Sequence, residues 1–316
     1  MEYVQLVGGL IVLIIAGEFL VRGAVGIALK FKVSPLVIGM TIVSFGTSAP
    51  ELLVSIRAAL AGHPELAIGN VLGSNIANIA LVLGISTMIL PITIKRTTKV
   101  LDWPIMMLAT VVFYLFALNS NMDWWEGVIY VSGLIVFNVY LFWKSMKENR
   151  MISEAADGED EEVEGVSNDQ KLSKSILLIV AGGVGLAFGA KWLTDGAVII
   201  AGNFGVTDRV IAVTVVAFGT SVPELITSIM AAIKKETDIS VGNLIGSNIF
   251  NLMAVLGITS IIKEIPISLE SMTNDIYWVF GISFLLFPLM LKNRISRFSG
   301  FILFSSYCLY IYFVVS

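Results

Sequence analysis

The sequence predicts an all-α polytopic membrane protein, and three observations carry that prediction. Of the 316 residues, 56% are hydrophobic and 14% are charged, against about 25% charged residues in an ordinary soluble domain. Apolar stretches of about 18 to 25 residues recur along the whole chain, and at about 1.5 Å per residue each can cross a hydrocarbon layer about 30 Å thick as a helix. A β-barrel would alternate apolar and polar residues over about ten positions, and no segment does so.

The pattern reads as ten transmembrane spans, at 4–29, 36–60, 67–91, 101–119, 124–143, 174–200, 209–232, 240–262, 275–291 and 298–315. Residues 1–16 have neither the basic start nor the small-residue cleavage site of a signal peptide, so they read as the beginning of a retained first helix. Lysines and arginines such as Lys30, Lys32, Lys95, Arg96, Lys144, Lys174, Lys234 and Arg294 border loops on one side of this layout; only Arg209 and Lys263 border the other loops, with Arg57 near a helix end there. The positive-inside rule makes the basic side cytoplasmic and puts both termini outside, in a multi-pass protein of the cell membrane. Trp103, Trp124, Trp125 and Trp143 fall at span ends, where interfacial anchors belong. Cys308, the single cysteine, excludes an intrachain disulfide and reads as a small packing residue. The net charge of −4 comes largely from one acidic loop and says little about partners; no nucleic-acid partner is expected.

In the first span Glu18 and Arg22 stand four residues apart, on one helix face. Lys191 and Asp195 lie 173 positions later with the signs exchanged. An isolated charge at the membrane centre costs about 3 kcal/mol, so both pairs are expected to neutralise themselves.

That offset of 173 recurs in two longer motifs. Gly46-Thr47-Ser48-Ala49-Pro50-Glu51 in span 2 returns as Gly219-Thr220-Ser221-Val222-Pro223-Glu224, and the GNxxGSNIxN stretch from Gly69 to Asn78 returns from Gly242 to Asn251. This is an internal duplication. Each half holds five spans, an odd number, so the second half enters the membrane upside down relative to the first, the arrangement of many secondary transporters. The halves are residues 1–144 and 174–316. Residues 145–173 between them are acidic and read as a solvated, flexible linker; they lack the alternating ligand spacing of an EF-hand loop. Spans 4 and 5 read as scaffold, and His63 as a loop residue.

The doubled motif carries the chemistry. Pro50 has no N–H, which leaves the carbonyl of Gly46 without its helical partner; Pro223 does the same to Gly219, and the backbone is expected to open at both places. Freed carbonyls, the hydroxyls of Thr47, Ser48, Thr220 and Ser221, and the carboxylates of Glu51 and Glu224 form a set of oxygens with no nitrogen or sulfur base. Such a set suits hard cations, Na⁺ or Ca²⁺. Ser74 and Asn78 are four apart on one face, as are Ser247 and Asn251, so each pair can offer oxygens to the same cavity. Gly69/Gly73 and Gly242/Gly246 are small-xxx-small pairs that allow close helix approach. Two buried carboxylates repel each other unless cations or protons occupy the site. An empty doubly negative site should reorient across the membrane with difficulty, which favours exchange over uniport.

At these residues the chain resembles the calcium/cation antiporter superfamily, specifically its prokaryotic sodium/calcium exchanger branch, and the resemblance covers nearly the whole chain. It implies ten helices with spans 2, 3, 7 and 8 as a central core and spans 1 and 6 sliding across it to import Na⁺ and expel Ca²⁺. It also implies ligands at Glu51, Glu224, Ser48, Ser221, Thr47, Thr220, Ser74, Ser247 and Asn78, with backbone carbonyls at Ser44 and Ala217. Asn251 departs from relatives that carry aspartate there, which weighs against K⁺ co-transport. The implied partners are Na⁺ and Ca²⁺ as substrates and the lipid bilayer; no cofactor and no obligatory protein partner is implied. H⁺/Ca²⁺ exchange is the alternative, followed by a cation channel. The chain has no HExxH motif and no Ser/His or paired-Asp catalytic set, so it does not read as an enzyme.

Overall fold

A computed structural model describes residues 1–155, 171–204, 217–267 and 269–315. The first rod is α1 (Glu2–Phe31). The second runs as α2 (Pro35–Ile38), a π-helical stretch π1 (Gly39–Val43) and α3 (Ser44–Leu60). The third is α4 (Pro64–Ile76), π2 (Ala77–Leu83) and α5 (Gly84–Ile89). After the short strand β1 (Ile92–Thr93) come π3 (Thr98–Asp102) with α6 (Trp103–Ala117), β2 (Asn121–Met122) and α7 (Trp124–Ala155). The second half follows with α8 (Leu172–Asn203), α9 (Ala217–Ile233) and α10 (Thr237–Phe250), which continues through π4 (Asn251–Leu256) into α11 (Gly257–Ile262). It closes with β3 (Ile265–Pro266), α12 (Leu269–Met290), β4 (Arg294–Ile295) and α13 (Arg297–Val315). Among the described residues, 8 helical segments are long and apolar enough to cross a membrane, and two shorter apolar helices, Gly219–Ile233 and Asp275–Met290, join them. The molecule is a polytopic all-α membrane protein. The first part of the seventh expected span, with Arg209, lies outside the described residues.

The 173-residue offset governs the backbone far beyond the two motifs. Strand β1 pairs antiparallel with β4 through Ile92 and Ile295, and β3 pairs with β2 through Ile265 and Met122, which are the same two positions in exchanged halves. Left-handed turns recur at Gly62 and Lys235, with φ 87° and 63°, and at Ser120 and Asn293, with φ 63° and 58°.

Helices α1 and α8 pack antiparallel along their length. A Cβ on Gly9 would stand 2.6 Å from the Leu193 nitrogen and 2.8 Å from the Gly189 carbonyl oxygen, and one on Gly182 would stand 2.7 Å from the Leu20 nitrogen and 2.8 Å from the Ala16 oxygen. These are the same contact in exchanged halves. Bare glycine faces let the two backbones approach this closely, which is how helices gain dispersion contact where no hydrophobic drive separates them from lipid.

Three expectations are corrected. The helix does not open at Pro50: α3 runs from Ser44 through Pro50 to Leu60, and α9 runs through Pro223. One missing hydrogen bond is tolerated where tertiary packing holds the helix, and the departure from α geometry lies instead in π1, just before Ser44. Residues 145–155 are not loose linker but the last turns of α7; Lys144-Ser145-Met146-Lys147-Glu148 contains no helix breaker. The acidic residues 156–170 lie outside the described residues. Cys308 is exposed on α13 rather than packed. As for the small-residue pairs, a Cβ on Gly242 would run into the Leu36 carbonyl oxygen and one on Gly246 into the Met40 Cα, whereas at Gly69 and Gly73 it would meet nothing within 4 Å among the described residues. The equivalents of Leu36 and Met40, positions 209 and 213, lie outside them.

Candidate functional site

The two GTSxPE helices, α3 and α9, pack against each other and against the GNxxGSNIxN helices α4 and α10. The packing also crosses between halves: α3 lies on π4, which starts at Asn251, and α9 lies on π2, which carries Asn78. This brings the expected side chains of both halves into one interior. Ser44, Thr47, Ser48, Glu51, Ser74, Asn78, Ser221, Glu224, Ser247 and Asn251 are all buried, and the two glutamates are 1% and 0% exposed. Thr220 is half-buried, and Ala217 is the first residue of α9.

Direct bonds join the two halves. The Ser48 hydroxyl donates to Glu224 Oε1 at 3.1 Å. Thr47 Oγ1 donates to Asn243 Oδ1 at 3.1 Å, and stands 3.4 Å from Ser247 Oγ and 3.3 Å from the carbonyl oxygen of Ser44. Ser44 turns its own hydroxyl back to the Met40 carbonyl at 2.7 Å, so its backbone oxygen and not its side chain faces Thr47.

What the protein leaves unbonded is as informative. Both oxygens of Glu51, Oε2 of Glu224, Oγ of Ser221, Oδ1 of Asn251 and both amide atoms of Asn78 are buried with no hydrogen-bond partner among the described residues. A buried carboxylate without a donor is strongly unfavourable, and two of them together are more so unless a cation or proton compensates. The remaining donors are neutral oxygens. No cluster of three or more His, Cys, Asp or Glu side chains exists among the described residues, so the charge in this interior comes from one pair of carboxylates set among hydroxyls and amides.

The sequence motif contained further residues that spacing alone did not single out. Asn243, whose acceptor oxygen holds Thr47, donates its own amide to Ser228 Oγ at 3.4 Å. Its counterpart Asn70 donates to Ser55 Oγ at 3.0 Å and to the Glu51 carbonyl at 3.2 Å. Asn75 links the halves through Asn248 and Asn251. All belong to GNxxGSNIxN: Asn70 and Asn243 lie one turn before Ser74 and Ser247 on the same helix face, and Asn75 and Asn248 lie beside that face. Asp102 and Glu126, at the starts of two scaffold spans, are also buried, at 1% and 2% exposure.

The two expected intramembrane charge pairs form: Arg22 with Glu18 at 2.5 Å and Lys191 with Asp195 at 2.5 Å. Glu18 gains a second partner, Lys234 at the end of α9, at 3.3 Å. This ties α1 to the helix that carries Glu224.

The fold and this interior define a multi-pass membrane protein with a buried, oxygen-lined carboxylate pair shared between two related halves. The chain belongs to the sodium/calcium exchanger protein family, whose model matches residues 1–143 and 174–316. It is 35% identical to the putative antiporter CaxA of Alkalimonas amylolytica over 98% of this chain and 97% of that one. It is 29% identical to the sodium/calcium exchanger MaX1 of Methanosarcina acetivorans, over 97% and 96% of the two chains. Its structure is similar to that of the sodium-calcium exchanger NCX_Mj soaked with zero Na⁺ and Ca²⁺, with a TM-score of 0.76 at 31% identity, covering 99% of this chain and 98% of that one.

Proposed function

We propose that this chain is a secondary active transporter that exchanges Na⁺ for Ca²⁺ across the cell membrane by alternating access. The observation that carries the reading is the pair of buried carboxylates, Glu51 and Glu224, whose oxygens largely lack donors from the protein. Surrounded by hydroxyl and amide oxygens and by no soft ligand, they present a site for hard cations. In this reading Glu51 and Glu224 supply the charge, and Ser48, Ser221, Thr47, Thr220, Ser74, Ser247, Asn78 and Asn251, with the carbonyls of Ser44 and Ala217, supply neutral oxygens. The names of the relatives support Na⁺ and Ca²⁺ as the ions.

The residues 1–144 and 174–316 act as two inverted five-helix repeats. The antiparallel contact between the equivalent helices α1 and α8 supports this, because equivalent helices that run in opposite directions belong to halves of opposite topology. The α1–α8 pair is the moving body and its glycine-lined contact keeps it together as it slides. The basic loops lie in the cytoplasm and both termini outside. Because the site without a bound cation or proton carries two uncompensated charges, it changes access only when loaded, and the two ion fluxes are thereby coupled.

Purified protein in Na⁺-loaded vesicles tests this. Uptake of radiolabelled Ca²⁺ should require the outward Na⁺ gradient; equal uptake without that gradient, or full replacement of Na⁺ by a pH gradient, would overturn the reading. Glu51→Gln and Glu224→Gln should each abolish exchange while the protein remains folded.

A further inference from the structure

Asn75 lies at the crossing of the two halves, buried at 1% exposure. Its amide nitrogen donates to the backbone carbonyl of Asn248 at 3.3 Å. A carbonyl can only accept, so this bond fixes which end of the Asn75 amide is nitrogen. Its oxygen then faces Asn251 and accepts from Asn251 Nδ2 at 3.1 Å. That second bond fixes Asn251 in turn: with its nitrogen engaged, Oδ1 is the atom left buried and without a partner, on the π-helical turn against α3.

The equivalent chain in the other half is not made. Asn248 donates its amide to the Leu244 carbonyl of its own helix at 2.8 Å, and both amide atoms of Asn78 have no partner among the described residues. Of two asparagines at equivalent positions, one is held in a defined orientation and the other is not. The sequence duplication cannot account for the difference; the direction of the Asn75 amide does.

We propose that Asn75 is a positioning and specificity-determining residue, which presents Asn251 to the transported cation as a neutral oxygen and disfavours a carboxylate at that position. This rests on the exchange reading above. An aspartate in place of Asn251 would set a carboxylate oxygen against Asn75 Oδ1. Relief would require Asn75 to turn over, which would in turn set its oxygen against the Asn248 carbonyl. Asn75 therefore holds the site at the two negative charges of Glu51 and Glu224.

The test is a double-mutant cycle on Na⁺-driven Ca²⁺ uptake in vesicles, with KM and maximal rate measured for wild type, N75A, N251D and N75A/N251D. A neutral hydrogen bond that orients a ligand corresponds to a change of about three- to tenfold in affinity. N75A should raise the KM for Ca²⁺ by about that factor when Asn251 is intact, with a much smaller effect on maximal rate. In the N251D background, where both terminal atoms of that side chain are oxygens, the same substitution should leave KM unchanged or lower it. N75L, which keeps the side-chain bulk, should behave as N75A does and separates the lost bonds from a cavity. The same fold-change in both backgrounds, or no change in the first, would overturn the proposal while leaving exchange intact. Absence of Na⁺-driven uptake by the wild type would refute the exchange reading itself.

Discussion

Ser48, on the helix of one GTSxPE motif, donates its hydroxyl to the Glu224 carboxylate of the other motif at 3.1 Å. The equivalent hydroxyl, Ser221 Oγ, is buried and has no hydrogen-bond partner among the described residues. The two serines therefore differ in what they do for the protein in the absence of a cation. Ser48→Ala removes a hydrogen bond to a charged group, an interaction of about 1.5–3 kcal/mol, and should lower thermal stability in cation-free buffer as well as weaken Ca²⁺ uptake by about tenfold or more. Ser221→Ala breaks no hydrogen bond among the described residues, so it should weaken uptake while leaving cation-free stability within about 0.5 kcal/mol of wild type. Thermal unfolding with and without Ca²⁺, alongside flux, checks both. Equal stability losses in the two variants would contradict the asymmetry.

The α1–α8 contact makes a prediction that depends on the relation between the halves. At Gly9 and at Gly182 an added Cβ would approach backbone atoms at 2.6 to 2.8 Å, and backbone cannot swing aside as a flexible side chain can. Gly9→Ala and Gly182→Ala should each push the two helices apart at a cost of about 1–3 kcal/mol, with matching losses of stability and of flux. Gly202→Ala, where a Cβ meets nothing within 4 Å among the described residues, is the control. A marked difference between Gly9→Ala and Gly182→Ala would mean that the two crossings are not equivalent in the membrane.

Glu236, in the turn between α9 and α10, offers a pH-dependent effect on stability. Burial, and after it the neighbouring Asp238, hold its carboxyl above the usual glutamate range. With the folded value above the unfolded one, the folded state binds more protons between the two, so this group lowers stability as pH rises through that window. The effect begins near the ordinary glutamate value of 4.5 and is complete above the raised folded value. Glu236→Gln should remove it, giving a melting temperature that falls less than that of wild type from acid to neutral pH. Identical pH profiles for the two proteins would contradict this.

The sequence revealed the membrane class, the duplication and the two glutamates because each leaves a mark in the order of residues. Apolar length marks a span, a fixed offset marks a copy, and a carboxylate behind a proline in an apolar run is conspicuous without any partner. The π-helical turns at Ala77 and Asn251 left no such mark. Extra backbone width there accompanies packing against helices of the other half, which no local pattern encodes. The bonds of Asn75 and Asn243 were hidden for the same reason, since each reaches across to a residue far away in the chain. The expected opening at Pro50 overstated one local rule: the missing N–H is real, but a helix packed on several sides keeps its course through it.

Lys191 and Asp195 give a last test, of whether the intramembrane pairs act as neutral units. They lie 2.5 Å apart on one face of α8, with side chains 69% and 42% exposed to the surroundings of the protein. On a helix of this hydropathy those surroundings are lipid or its interface. Removing one member strands the other charge, which at the membrane centre costs about 3 kcal/mol and less where the side chain can reach the interface. Lys191→Met alone should therefore lower stability and yield, whereas the double variant Lys191→Met/Asp195→Leu, which strands nothing, should recover them and retain Ca²⁺ flux. If the double variant folds as wild type does but carries no flux, the pair serves the ion path directly. If each single variant is as stable as wild type, the charges are already separately solvated and the neutral-unit reading fails.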